Sequence, residues 1–404
     1  MAKKNIKIFD VTLREGEQTP GLFFSPEEKL QLAAQLCDAG IRHIETGVVG
    51  IESDECAYRE MRSREIAGTA EISMTLLPCE PLFERALASD VTNLNLVIPV
   101  TDCLAATFGF TVDAFLEQRM HWIDQLCRSG KQLRVALADA SRALLLDERQ
   151  QLNRDPAHIT GNIASLEKVI TPFLERGVTG FILTDTAGLL LPEEVALVMQ
   201  RLAAGYPEVE WGGHFHNDFG LAAANTLAAS RHGATLLQCS FNSLGERCGI
   251  ASTAEIVAGL QYLYGRELGI DLGKIRRLAY AIEDITAIVV SERQPVVGRG
   301  LYWYETATPL LTLIGHRSSM FETIPAESAG SPREIVIGKH SSRRLFKLYQ
   351  QERLVASDHD IEAYKNNACK LREENLPVLR SIIRCYHAAA KASHLMLTSP
   401  TPEP

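Results

Sequence analysis

Two histidines stand two residues apart in the stretch His214-Phe215-His216-Asn217-Asp218. On an extended strand, residues i and i+2 face the same side. If the strand ends there, both imidazoles project into one space, where two neutral nitrogens suit a divalent ion. The same pair would also serve as plain polar residues that cap the next helix. A second polar set, Asp10, Thr12, Arg14, Glu15 and Gln18, crowds between apolar segments near the N-terminus. Two histidines with one carboxylate leave coordination positions open for a substrate, and such an ion polarises a carbonyl or holds an α-keto acid. An arginine beside it would stabilise a developing oxyanion or hold a carboxylate. Arg14, next to Glu15, is the candidate for that role.

The elements that must position these residues follow an alternating pattern. Lys7–Asp10 reads as a short strand. Ser25-Pro26-Glu27-Glu28 reads as a helix start with a capping box, and Gly40 as its end. Strands are expected at 41–45, 71–77, 92–100, 133–137, 180–185, through the histidine pair, and at 235–242. Helices are expected near 52–66, 80–88, 112–129, 159–176, 192–204 and 219–232, and from residue 253. Eight strand-plus-helix units in about 265 residues match a (β/α)8 barrel of the TIM type, with a doubly wound open sheet as the rival. Further polar groups end the strands: Glu45-Thr46, Thr101-Asp102, Asp139-Ser141-Arg142, Thr184-Asp185-Thr186 and Asn242-Ser243, the last followed by Gly245-Glu246-Arg247. In a barrel these all face one mouth. Taken singly, each set also fits caps and salt bridges within its own loop.

The alternation stops after about residue 265. The expected organisation is a TIM-barrel catalytic domain over 1–265, a linker subdomain over 266–330, a smaller, mostly helical C-terminal subdomain over 331–397 and a disordered tail over 398–404. Hydrophobic residues make 46% of the 404-residue chain and charged residues 23%, an ordinary globular balance. No run of apolar residues is long enough to span a membrane, and no signal peptide opens the sequence, so a cytoplasmic protein is expected. The formal charge of −9 argues against nucleic acid as a partner. Nine cysteines, at 37, 56, 79, 103, 127, 239, 248, 369 and 385, form no CxxC pair, which suits free thiols.

Residues 10–21, DVTLREGEQTPG, resemble the opening signature of the DRE-TIM metallolyase superfamily, and within it the homocitrate synthase and isopropylmalate synthase branch. Residues 214–226, HFHNDFGLAAANT, are similar to that family's second signature. Asp139-Ala140-Ser141-Arg142, Thr184-Asp185-Thr186-Ala187-Gly188, Gly245-Glu246-Arg247 and Ile337-Gly338-Lys339-His340-Ser341 resemble further motifs. The resemblance covers nearly all of 4–345. It implies a metal-dependent, Claisen-type condensation of an acyl-CoA, usually acetyl-CoA, with an α-keto acid to give a 2-hydroxy di- or tricarboxylate and CoA. It implies Glu15, His214 and His216 as ligands of a divalent ion (zinc, magnesium or manganese), with Arg14 at the enolate or alkoxide oxygen. Gln18, Thr186 and Ser141 would contact the keto acid, for which 2-oxoglutarate is one candidate. A cytoplasmic homodimer is also implied.

Three positions depart from the family pattern. Relatives carry Asn, often a further metal ligand, where this chain has Ile250, which cannot ligate; Cys248 is an alternative. Relatives carry Glu where this chain has Ala138, so a carboxylate that assists proton transfer is missing. A histidine of the relatives' linker falls on Pro309, which cannot move a proton. His316, His340, Tyr302 and Tyr304 remain as acid–base candidates, the tyrosines if neighbours lower their pKa. Three readings follow: a condensing synthase with a rewired base, a metal-dependent carbon–carbon lyase or aldolase, or a metal-binding relative with little catalysis.

Overall fold

The structure, a computed structural model, describes residues 5–66, 68, 70–306, 308–309, 312, 318–335 and 377. Local signals start and stop its elements as the sequence leads one to expect. The Ser25 hydroxyl accepts from the Glu28 N–H at 3.3 Å, and the Glu28 carboxylate accepts from the Ser25 N–H at 2.8 Å. This reciprocal cap opens the Pro26–Ala39 helix, and Gly40, at φ 102°, closes it.

Eight strands follow this scheme: β1 Lys7–Asp10, β2 His43–Val48, β3 Glu71–Leu76, β4 Asn93–Pro99, β5 Gln132–Ala138, β6 Gly180–Asp185, β7 Glu210–Phe215 and β8 Leu236–Cys239. Each pairs in parallel with the next, and β1 pairs with β8 from Lys7 opposite Leu236 to Asp10 opposite Cys239. The sheet therefore closes, which excludes the open-sheet alternative. Helices on the outside cover the apolar faces of the strands, completing a (β/α)8 barrel.

The helix expected over 112–129 is two helices, Val112–Gln118 and Met120–Arg128. The break is at Arg119, whose guanidinium donates to the Pro78 carbonyl and lies over the Phe110 ring. Two short helices with no periodic signal, Asp102–Ala105 and Ala140–Leu145, follow β4 and β5 directly.

The N-terminal end of the barrel is floored by ion pairs. Lys7 on β1 meets Glu210 on β7 at 2.5 Å, and Arg134 on β5 meets Glu71 on β3 at 2.5 Å and Glu210 at 3.6 Å. These pairs bridge strands that are not neighbours, so their side chains lie inside the barrel. Four side chains from alternate strands form one layer, as the packing of such barrels requires.

By its contacts the chain falls into two units, residues 1–301 with 327–331, and residues 302–326 with 332–404. The Leu272–Thr286 helix packs against Pro26–Ala39 and carries the first unit past residue 265. In the second unit, Trp303–Tyr304 pairs in parallel with Glu334–Ile335. His316, His340 and, apart from residue 377, the helical pattern expected over 364–394 lie outside the described residues.

Candidate metal centre

The C-terminal ends of the strands carry the polar residues that the sequence placed there, and three of them converge. After β1 the chain makes one tight turn: the Arg14 and Glu15 N–H groups both donate to the Val11 carbonyl, at 3.1 and 2.7 Å. This turn aims Glu15 at the end of β7. There Glu15, His214 and His216 are all buried, with ligand atoms within 4.8 Å of one another. The expected trio is thus brought together from two elements some two hundred residues apart in the chain.

The protonation states follow from burial. Loss of solvent drives the His214 pKa down to about 3 and lowers that of His216 as well. Both rings are therefore neutral near neutral pH. Burial pushes the Glu15 carboxyl up, but the Arg14 guanidinium beside it pulls the other way, and its pKa lies below the ordinary value. The set is two neutral nitrogens and one carboxylate.

These residues fit a divalent ion. His214 Nδ1 donates to Gln238 Oε1 on β8 at 2.8 Å, which leaves Nε2 with its lone pair. That atom stands 3.3 Å from His216 Nε2, while His216 Nδ1 is buried without a hydrogen-bond partner. Two nitrogens bound tetrahedrally to one ion at about 2.1 Å lie about 3.4 Å apart, close to the spacing seen here. The Gln238 contact is the usual outer partner that fixes a ligand histidine's tautomer. No sequence motif marked Gln238. Its one signal is a polar residue inside a short, wholly buried strand.

Arg14 lies between two carboxylates. Its Nε donates to Glu45 Oε2 at 2.6 Å, and its Nη1 bonds Glu15. Glu45 is fully buried on β2, and its other oxygen accepts from Thr75 and Asn95, both at 2.7 Å. With its amide nitrogen turned to the carboxylate, Gln18 donates to both Glu15 oxygens at 2.9 and 3.0 Å. Gly245, at φ 150°, lets the β8 loop close over Glu15, since a Cβ there would stand 3.1 Å from Glu15 Oε1.

The β6, β7 and β8 loops are strapped together beside this centre. Arg247 donates to both Asp218 oxygens at 2.8 and 3.1 Å and to the Thr186 carbonyl at 2.7 Å. The Thr186 hydroxyl accepts from the Asp139 N–H at 2.8 Å, so its own proton remains to donate. Asp139, at φ 68°, follows β5 and precedes the Ala140–Leu145 helix, in whose first turn Ser141 is buried. Asp185 accepts from the Leu189 and Leu190 N–H groups and serves its own loop.

Of the departing positions, Ile250 is buried with Phe9, Val11, Ile182 and Leu236, a core role, and Cys248 is exposed. Ala138 is buried at the end of β5. In the second unit, the Tyr304 hydroxyl donates to Glu322 Oε1 at 2.6 Å. Burial and that carboxylate raise its pKa, so the expected lowering by neighbours does not occur.

Residues 5–282 match the HMGL-like family. The chain is 30% identical over 346 residues to the 2-phosphonomethylmalate synthase of Streptomyces rubellomurinus, a match covering 85% of this chain and 87% of that one. It is 28% identical over 343 residues to the (R)-citramalate synthase of Methanocaldococcus jannaschii, covering 85% of this chain and 66% of that longer protein. Among solved structures, hydroxymethylglutaryl-CoA lyase of Pseudomonas aeruginosa superposes with a TM-score of 0.55 at 19% identity, over 70% of this chain and 93% of that one. This likeness speaks to the barrel alone. The family match spans well over half of the chain and the synthase match most of both proteins, so the chain belongs to the HMGL-like family, in its DRE-TIM synthase branch.

Proposed function

We propose that this protein condenses an acyl-CoA, acetyl-CoA in the first instance, with a 2-oxo acid to give a 2-hydroxy di- or tricarboxylate and CoA. The observation that carries the reading is the buried Glu15–His214–His216 set with Arg14 bonded to its carboxylate. Two relatives named as synthases of substituted malates support the same reaction class. 2-Oxoglutarate and 3-phosphonopyruvate are the acceptors to try first.

In this reading Glu15, His214 and His216 hold one divalent ion, zinc, magnesium or manganese. Bound there, the ion would polarise the acceptor's carbonyl. Arg14, fixed by Glu45, offers its remaining N–H groups to the oxygen on which negative charge develops. Gln18, Thr186 and Ser141 contact the acceptor, Thr186 through its free hydroxyl proton. The closed ion-pair floor leaves the C-terminal mouth as the side on which the residues bind substrate. Tyr304 and His340 are the acid–base candidates. With its raised pKa, Tyr304 suits the donation of a proton better than its removal. The working unit is a cytoplasmic homodimer.

The test is release of free thiol from acetyl-CoA in the presence of 2-oxoglutarate, oxaloacetate, pyruvate, 2-oxoisovalerate or 3-phosphonopyruvate. At least one acceptor should release CoA in a metal-dependent way, and His214→Ala should abolish it. If none does, and a 2-hydroxy acid instead yields a 2-oxo acid, the condensing direction is wrong and the protein is a lyase.

A further inference from the structure

Lys29 breaks two local rules at once. It is wholly buried, which is rare for lysine. It also sits in the first turn of the Pro26–Ala39 helix, where the positive end of the helix dipole disfavours a cation. Neither its helix nor its packing requires an ammonium there. A residue that violates local preference so fully is held for something beyond its own element.

Its four contacts say what it holds. Lys29 Nζ donates to the Leu13 carbonyl at 2.9 Å and to the Thr46 carbonyl at 2.9 Å. It also meets Glu17 Oε2 at 2.6 Å and Asp54 Oδ1 at 2.7 Å. Leu13 immediately precedes Arg14, and Thr46 immediately follows Glu45. The ammonium therefore staples the two backbones one residue away from each end of the Arg14–Glu45 bond. Its carboxylate partners extend the clamp: Glu17 lies two residues beyond Glu15, and Asp54 Oδ2 accepts from the Val48 N–H at 2.8 Å. Gly47 makes room for this, since a Cβ there would stand 2.3 Å from the Asp54 carboxyl carbon. One cation thus ties the β1 turn that carries the carboxylate ligand to the end of β2.

We propose that Lys29 is a positioning residue for the metal centre, setting the reach of Glu15 toward His214 and His216 by fixing the β1 turn against β2. The inference rests on reading those three residues as ligands. It touches neither substrate nor ion and acts through Leu13 and Thr46.

The test is cobalt(II) binding by metal-stripped protein, read by ligand-field absorption and chelator competition. Lys29→Met alone would leave Asp54 buried and unpaired, so Lys29→Met is combined with Asp54→Asn, whose amide oxygen still accepts from the Val48 N–H. Cobalt affinity should fall about 10- to 100-fold in this double variant, the usual effect of losing an outer support. Leu36→Ala, on the same helix and equally buried, serves as a control that loses stability only; its cobalt affinity should match wild type. Should the double variant not fold, Lys29→Arg carries the same readout, because a planar guanidinium cannot converge one nitrogen on four acceptors. Wild-type cobalt affinity in a folded Lys29 variant overturns the proposal. If His214→Ala also keeps wild-type affinity, the ligand assignment itself is what has failed; if it loses the ion while the Lys29 variant keeps it, the failure is confined to Lys29.

Discussion

Arg14 Nε donates to Glu45 Oε2 at 2.6 Å, and this bond links the turn after β1 that carries Glu15 to β2, β3 and β4. Thr75 and Asn95 hold the far oxygen of Glu45, and Arg14 passes the support on to Glu15. Glu45→Gln keeps the shape and removes the charge. With a buried ion pair broken, the unfolding free energy in urea should drop by about 3 kcal/mol. A change well under 1 kcal/mol in that measurement would mean that Glu15 alone satisfies Arg14.

Gln238 should matter as much to the ion as a residue that never touches it can. Its side-chain oxygen keeps the proton of His214 on Nδ1. Gln238→Leu removes that acceptor in a wholly buried place, and the imidazole is then free to turn or to change tautomer. Divalent-ion affinity by calorimetry should weaken about 10- to 100-fold. Unaltered affinity would show that packing alone fixes the ring.

Asp10 gives the fold a pH dependence with a defined sign. Burial raises its pKa from 3.8 to about 6, even though Thr12 and Thr253 donate to it. The folded state thus keeps this proton longer than the unfolded chain does. Well below pH 3.8 both states are protonated and nothing is lost; as pH rises toward 6, the unfolded chain ionises first and folding is progressively disfavoured. Between pH 3 and 7 the wild type should lose about 3 kcal/mol relative to Asp10→Asn, at about 1.4 kcal/mol per pH unit of separation between the two states. Parallel urea-stability curves for the two proteins across that range would refute it.

Arg247 joins three loops from an exposed position. Pairs of that kind contribute little to global stability, about 1 kcal/mol or less. Arg247→Ala should therefore barely shift the melting temperature. It should still speed amide hydrogen exchange in residues 186–188 and 217–220, because the Thr186 carbonyl and Asp218 lose their shared partner. Exchange at the wild-type rate in both segments would rule out the strap.

The barrel and half of the centre were legible because they rest on short-range signals. The Ser25–Glu28 cap, the alternating apolar runs and the i, i+2 spacing of His214 and His216 all lie within a few residues of chain. What escaped depends on pairs far apart. Glu45 is one more polar strand-end residue until β2 is folded beside Arg14, and Gln238 reaches His214 only once β7 and β8 pair. Lys29 passes for one of the charged residues on a surface helix, since helical periodicity does not reveal that its ammonium enters the wall between β1 and β2. Tyr304 illustrates the converse. Its type suited acid–base work, but the carboxylate that raises its pKa, Glu322, lies eighteen residues away in the chain.

The ion-paired layer of Lys7, Glu71, Arg134 and Glu210 makes the barrel a vessel with one door. A molecule seated among the strand ends has no exit behind it. In the proposed reaction, the newly formed hydroxy acid must therefore leave by the route its successor needs to enter. Product and acceptor exclude one another there, so product inhibition should be competitive with the 2-oxo acid at every concentration of the acyl donor.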